Sequence, residues 1–491
     1  VSRPRKLVLT VIDGLKPAML ERAIALGRAP TLKAIADRGA YVDDCVAAFP
    51  SVTPVCAASI ATGTRPDRHR IPSMNWYSRD EARYVEYGSS FSASRRAGVL
   101  RSLTDTVYNM NGRHLARETP TVFERLDDAG LRTAGTTYLM YRGRHRHEVT
   151  NETALARLAT STVFRQPVYG PRELFYADLF ASRRTGCRGQ LGMPGLRDQH
   201  SGCVGAYLVE RDLFDFLLLS LPDNDAWSHR NGPHAQVTSI AAADVQLERM
   251  MHAGGGVERF LDEHAMIVLA DHSHAAVEQR IRLDEAFAEW DVARPGAVRA
   301  SDPPARIALS PAQRSAMVYA LGPDRGAATT DEIARHAAAI PGVDLTMWRT
   351  APREGAIASS RGELRFAPGG DLADLGGGRW SLDGELATLD GRVQDGRLLT
   401  PEYPDALARA WSALTCPTAG DVLLSAAPGY EFVDWGGAAH VGGGSHGSLH
   451  HSDSLGALLW CGVGPASRDA RERWTLCDML PMVTDHFGLS D

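Results

Sequence analysis

Long apolar runs are missing from this chain. None approaches the roughly 20 residues that span a bilayer; the longest, "FDFLLLSL" (214–221) and "HAMIVLA" (264–270), have the length of buried strands. Cysteine is scarce, seven in 491 residues, odd in number and without the paired spacing of a metal site. Cys187 and Cys203 flank a Gly-rich stretch and could pair, but free thiols are the expected state, and with them a cytoplasmic location. No signal-peptide layout precedes the first strand in "VSRPRKLVLTVIDG". A basic excess is also absent. The net charge of −6 removes the electrostatic footprint that a nucleic acid polymer requires. No repeat, heptad or low-complexity tract stands out, while 44% hydrophobic and 23% charged residues suit an ordinary globular chain.

What is present is an alternation. "KLVLTVIDG" precedes the helical pattern "KPAMLERAIALG", and "RTAGTTYLMY" follows "TPTVFERLDDAG". "LFDFLLLSLPD" precedes "VTSIAAADVQLERMMHAG", and "AMIVLADHSH" follows it. Continuous apolar strands between helices predict an α/β fold with a mainly parallel central sheet covered by helices on both faces. Ligands in such sheets collect at the carboxyl ends of the strands. Composition shifts near Val277, and residues 281–405 become rich in Gly and Asp between strand-length pieces. They read as an inserted, smaller α+β lobe, with the core formed by 1–280 and 406–491. The core sheet is expected to resume at "GDVLLSAAPGYEF".

The strand ends carry chemistry. "LTVIDG" ends in Asp13. "LSLPDNDAWSH" offers Asp223, Asp225 and, four residues further, His229. "VLADHSH" supplies Asp271 and His272, and the glycine-flanked "HVGGGSHGS" supplies His446. An Asp after a strand is usually a turn former or helix cap, and a lone His is usually a core or surface residue. Four segments delivering Asp or His to one sheet edge are harder to assign to turns. Their oxygen and nitrogen donors suit zinc, with manganese as the alternative.

The stretch "FPSVTPVCAASIATGT" (49–64) sets Ser51 and Thr53 between two prolines at the start of a small-residue helix. Taken by itself it reads as an N-cap. A hydroxyl at a helix start also lies where free N–H groups favour an anion.

In order, "VIDG", "PSVT" with a following "SIATG", Asp-x-x-x-His, "ADH" and "SHG" resemble the alkaline phosphatase superfamily, most closely its nucleotide pyrophosphatase/phosphodiesterase branch. The resemblance spans Asp13 to His446 and leaves out the insert. It implies two divalent ions, zinc or manganese, bridged by a small phosphorylated substrate. Asp225, His229 and His446 would hold one ion. Asp13, Asp271, His272 and the hydroxyl of Thr53 would hold the other. Thr53 falls at the nucleophile's place, with Ser51 as runner-up, and Asn75 lies one residue beyond the place of an Asn that hydrogen-bonds a phosphoryl oxygen. The implied reaction is hydrolysis of a phosphate ester, a diester by preference, through a phospho-threonine.

Two departures stand out. The Asp-x-x-Gly-His pattern becomes "DAWSH", bringing Trp227 and Ser228 into that loop, and the Asn-His pair after the nucleophile is replaced by "VCAA". The basic loop "YRGRHRHE" offers Arg142, Arg144 and Arg146 to a second phosphoryl charge, or is simply a solvated charge run. His274, His234, His440, His450 and His451 are candidates to orient ligands, His440 foremost because it shares the Gly-rich segment of His446. Competing readings are a phosphomonoesterase, a phosphonate hydrolase, a phosphomutase, or a catalytically silent phosphate-binding module. No Cys-x-Pro-x-Arg or Ser-x-Pro-x-Arg motif of a sulfatase occurs at the nucleophile.

Overall fold

The computed structural model describes residues 4–149, 166–189, 196–296, 305–322 and 327–489. Residues 297–304 and 323–326 of the expected lobe lie outside these. The central sheet has eight strands in the order Ala40–Val46, Leu455–Cys461, His264–Leu269, Lys6–Ile12, Phe216–Leu221, Thr133–Thr136, Glu173–Tyr176 and Phe180–Ala181. The five from His264–Leu269 to Glu173–Tyr176 run parallel, and antiparallel strands close both edges.

The unbroken apolar runs are explained by burial on both faces. Along Lys6–Ile12, Leu7, Leu9 and Val11 join one core, while Val8 and Ile12 join the other. Phe216 and Leu218 alternate in the same way with Leu217 and Leu219. Each such side chain withdrawn from water stabilises the sheet by about 1.5–3 kcal/mol. Helices Pro17–Ala25, Pro30–Arg38, Arg197–Glu210 and Val237–Ala253 cover one face through Leu20, Leu32, Val204 and Leu247. Helices Thr53–Thr62 and Val122–Asp128 cover the other through Val55, Ile60, Phe123 and Leu126. No helix among the described residues is long and apolar enough to cross a membrane.

A second, largely antiparallel sheet is built mostly from the stretch expected as the lobe. The division at 405 is displaced, however. Val422–Ala426, expected to resume the central sheet, lies instead between Ser315–Ala320 and Val343–Ala351 of the second sheet. A short, fully buried apolar run has no polar face to say which sheet it joins. Leu345, Met347 and Leu364 of the second sheet share one core with Val55 and Ile60, so the two sheets are packed on a common interior.

The thiol expectation is corrected for one pair. Cys187 and Cys203 form a disulfide, with Cα atoms 5.9 Å apart. Cys203 lies in the helix Arg197–Glu210, and the two residues, 16 apart in sequence, are within bridging range. Cys45, Cys56, Cys416, Cys461 and Cys477 are free.

Candidate active site

Three adjacent parallel strands deliver the first donors. Asp13 follows Ile12, Asp271 and His272 follow Leu269, and the helix Asp223–Asn231 opens just after Leu221. That helix places Asp225 and His229 at i and i+4, one above the other. The "DAWSH" departure leaves this spacing intact. Ser228 is buried, donates to the Asn224 carbonyl and accepts from Gln236 Nε2, while Trp227 caps the Ala235 carbonyl from the surface. His446 arrives from the short strand Gly444–Ser445, paired with Ala275–Ile281. Asp223 belongs to the scaffold, accepting from the Arg197 side chain and the Asp198 amide.

The donors fall into two groups. Asp13, Asp271 and His272 have ligand atoms within 4.8 Å of one another, as do Asp225, His229, His274 and His446. Stacking of the His272 and His446 rings, centroids 3.5 Å apart, joins the groups. Thr53 opens its helix after Val52 and sets Oγ1 3.3 Å from His272 Nε2. Ser51 is excluded as the reactive hydroxyl. It is fully buried, its Oγ donates to the Ser448 carbonyl and accepts from the Gly447 amide, and its own carbonyl accepts from His446 Nδ1. It fastens the Thr53 loop to the His446 loop. The helix start supplies fewer amides than expected, because Pro54 has no N–H and Val55 and Cys56 both donate to the Val52 carbonyl.

The tautomers separate ligands from their support. His229, His272 and His446 each direct Nδ1 at a backbone carbonyl, of Gly444 at 2.8 Å, Ser273 at 3.1 Å and Ser51 at 2.8 Å. This fixes the proton on Nδ1 and leaves the Nε2 lone pair facing the cluster. His274 is different. Its buried Nδ1 has no partner, and its Nε2 lies 2.9 Å from Asp225 Oδ1. With no acceptor for an Nδ1 proton, Nε2 carries it and donates to Asp225, which makes His274 the residue that orients that carboxylate. Gly14, with φ of 67°, leaves it room; a Cβ there would stand 2.6 Å from the His274 ring.

The electrostatics call for cations. Asp13 Oδ1, Asp271 Oδ2 and His446 Nε2 are buried without a hydrogen-bond partner, and all three are electron-pair donors. Burial, followed by repulsion from Asp271 and Asp225, lifts the Asp13 carboxyl well above the usual range, and burial lifts Asp271 to about 6. Burial alone would raise Asp225 too, but the adjacent His229 imidazole and the hydrogen bond from His274 hold it well below. Burial keeps His272 and His274 neutral far below the ordinary imidazole range. Orphaned oxygens and neutral imidazoles at one point fit divalent ions.

The weaker candidates separate. Arg142 donates to Glu124 and to the carbonyls of Leu115, Ala116 and Thr119. Arg144 pairs with Glu124 and Asp128, and Arg146 with Glu148. All three are paired within this loop and its neighbours. Asn75 donates its amide hydrogens to the Pro311 carbonyl at 2.6 Å and Ser89 Oγ at 3.2 Å. Its unpartnered atom is Oδ1, an acceptor, which is the wrong polarity for a phosphoryl oxygen. His440 stacks on His229 with centroids 4.0 Å apart, and Glu431 accepts from both its Nδ1 and its backbone amide. It packs against His229, a metal-ligand candidate. His234 is exposed, and His450 and His451 gather around Glu402. The Ser452 amide donates to His450 Nδ1, so His450 offers a proton at Nε2 and no lone pair.

Lys16, Gln313 and Glu431 had no motif to mark them. Lys16 is half-buried and donates to the carbonyls of His274 and Ser452, bracing the loop after Asp271. Its nearness to Asp13 in sequence was the available signal.

Comparison with known proteins agrees with this geometry. Residues 7–449 match the family model of type I phosphodiesterase/nucleotide pyrophosphatase. No curated protein matches the sequence. Among solved structures, the chain is similar to phosphonoacetate hydrolase from Sinorhizobium meliloti bound to phosphonoformate, at 19% identity and a TM-score of 0.56, covering 98% of this chain and 96% of that one. It is also similar to murine ectonucleotide pyrophosphatase/phosphodiesterase 5, an inactive threonine-to-alanine variant with AMP, at 10% identity and a TM-score of 0.57, covering 99% and 96%. The human form of that protein matches at 11% identity and a TM-score of 0.55, covering 99% and 96%. The likeness to these structures is one of fold. The family match extends over nearly the whole chain, and this protein therefore belongs to the type I phosphodiesterase/nucleotide pyrophosphatase family of phosphoester-hydrolysing enzymes.

Proposed function

We propose that the chain is a two-metal phosphodiesterase that works through a phospho-threonine at Thr53. The observation that carries the reading is the convergence of orphaned buried donors, Asp13 Oδ1, Asp271 Oδ2 and His446 Nε2, in the two clusters beside a hydroxyl 3.3 Å from His272. Asp13, Asp271, His272 and Thr53 would hold one ion, and Asp225, His229 and His446 the other, with zinc favoured by the imidazole content. When bound, the ions supply Lewis acidity toward the phosphoryl oxygens and the two apical groups of an in-line displacement.

The chain's own residues supply position and a dry floor. Thr53 Oγ forms the bond to phosphorus as the ester oxygen departs, and water then cleaves the phospho-threonine and restores the hydroxyl. His274 keeps Asp225 turned to its cluster, and Ser51 holds the His446 loop against the nucleophile loop. A monoester brings a second phosphoryl charge that wants a further cation. The arginines that could have met it are committed elsewhere, which favours a diester. A phosphonate hydrolase is the second reading, favoured by the similarity to phosphonoacetate hydrolase.

The test compares bis-p-nitrophenyl phosphate, p-nitrophenyl phosphate and a phenylphosphonate monoester on zinc- and manganese-loaded protein. The diester should have the highest kcat/KM, and Thr53→Ala should lower it by roughly a thousandfold or more while metal is still bound. A preference for the phosphonate would install the second reading. Equal turnover by Thr53→Ala would remove the nucleophile.

A further inference from the structure

We infer that Gln313 is the carboxamide that contacts the bound phosphoryl group, a donor brought to the metal cluster by the second sheet; this deepens the proposed function and rests on it. Strands Ile307–Ala312 and Ser315–Ala320 are joined by a two-residue turn, Gln313–Arg314. Gln313 has φ of 59°, the left-handed region in which such a turn ordinarily places glycine. A long side chain held there against its own preference is an outlier that points to use. The surroundings fix it. The Phe432 amide donates to the Gln313 carbonyl at 2.8 Å, and the Arg314 amide donates to the His446 carbonyl at 2.9 Å. The turn is thus tied to a metal-ligand candidate on its neighbouring residue.

The side chain continues toward the other ligand candidates. Gln313 Nε2 lies 3.5 Å from His229 Nε2, and Gln313 Oε1 is buried without a partner. The His229 proton sits on Nδ1, bound to the Gly444 carbonyl, so Nε2 presents a lone pair. That lone pair is the one a cation takes. Once it is taken, the Gln313 N–H has lost its acceptor, and an anion resting on the cation is the replacement within reach. Asn75 fits the same picture from behind. It spends one N–H on the Pro311 carbonyl, two residues before Gln313, and so steadies the hairpin that carries the working amide.

The test measures binding of inorganic phosphate to the zinc-loaded protein by titration calorimetry, with zinc content checked for each variant. Wild type should bind phosphate, and Gln313→Ala and Gln313→Gly should both bind it about tenfold or more weakly, the usual loss for one hydrogen bond to a charged group. Glycine accepts the left-handed turn without cost, so Gln313→Gly separates the amide from the turn. Wild-type affinity in Gln313→Gly, or in both variants, overturns the inference. So does loss of zinc from the variants, which would make Gln313 part of the metal site, and so does a loaded wild type that binds no phosphate. Ester turnover by wild type reports on the parent reading separately. Phosphate binding that depends on Gln313 without any turnover would end the hydrolase proposal and leave the contact standing.

Discussion

At the scale of single residues the site is defined by carboxyls whose protons a cation has to displace. Burial raises the Asp13 carboxyl well above the usual carboxylate range and lifts Asp271 to about 6, whereas it holds His272 and His274 well below the ordinary imidazole range. A divalent ion entering the Asp13–Asp271–His272 group must therefore displace a proton from a carboxyl and none from these imidazoles. Metal affinity should rise with pH through about 6, approaching tenfold per unit on its acid side, where one proton is released. Calorimetry in buffers of different ionisation enthalpy should count that proton. Asp13→Asn should bind metal more weakly and with a flatter pH dependence. Affinity that falls with rising pH would contradict the assignment.

At the scale of elements the question is what holds segments more than 200 residues apart in one place. Asp453 and Arg314 form a fully buried ion pair at 3.0 Å. Asp453 also accepts from the amide and hydroxyl of Ser448, in the His446 loop. Arg314 belongs to the Gln313 turn and reaches the carbonyls of Tyr430 and Ala427. One pair thus clamps the second sheet's hairpin to the loop of a metal-ligand candidate. Arg314→Met would strand a buried carboxylate, and should cost about 3–5 kcal/mol of stability by urea denaturation, with Asp453→Asn on that background recovering part of it. The strands and the donors at their ends were legible because burial on both faces writes long apolar runs, and an Asp or His after such a run is conspicuous. Asp225 and His229 were legible through helical spacing. The hairpin was not. Gln313 is an uncharged residue in a turn without glycine, asparagine or aspartate, so neither its φ nor its neighbour His229 left a local mark. The hold of Asn75 on the Pro311 carbonyl, 236 residues away, was equally invisible in sequence.

At the scale of the molecule, the two sheets close on one interior, and the site lies where the parallel strands of the first meet the hairpin of the second. Leu345, Met347 and Leu364 of the second sheet pack in the same core as Val55 and Ile60 of the helix that Thr53 opens. The disulfide bears on where such a molecule resides. Bridged cysteines persist in oxidising compartments, so Cys187–Cys203 weighs against the cytoplasmic location that scarce cysteine suggested. Protein purified from an oxidising compartment, unfolded without reductant, should release five titratable thiols, those of Cys45, Cys56, Cys416, Cys461 and Cys477, and seven after reduction. The bridge closes a short loop, so Cys203→Ser should lower stability by about 3 kcal/mol on chain-entropy grounds. Seven thiols before reduction would return the pair to the free state.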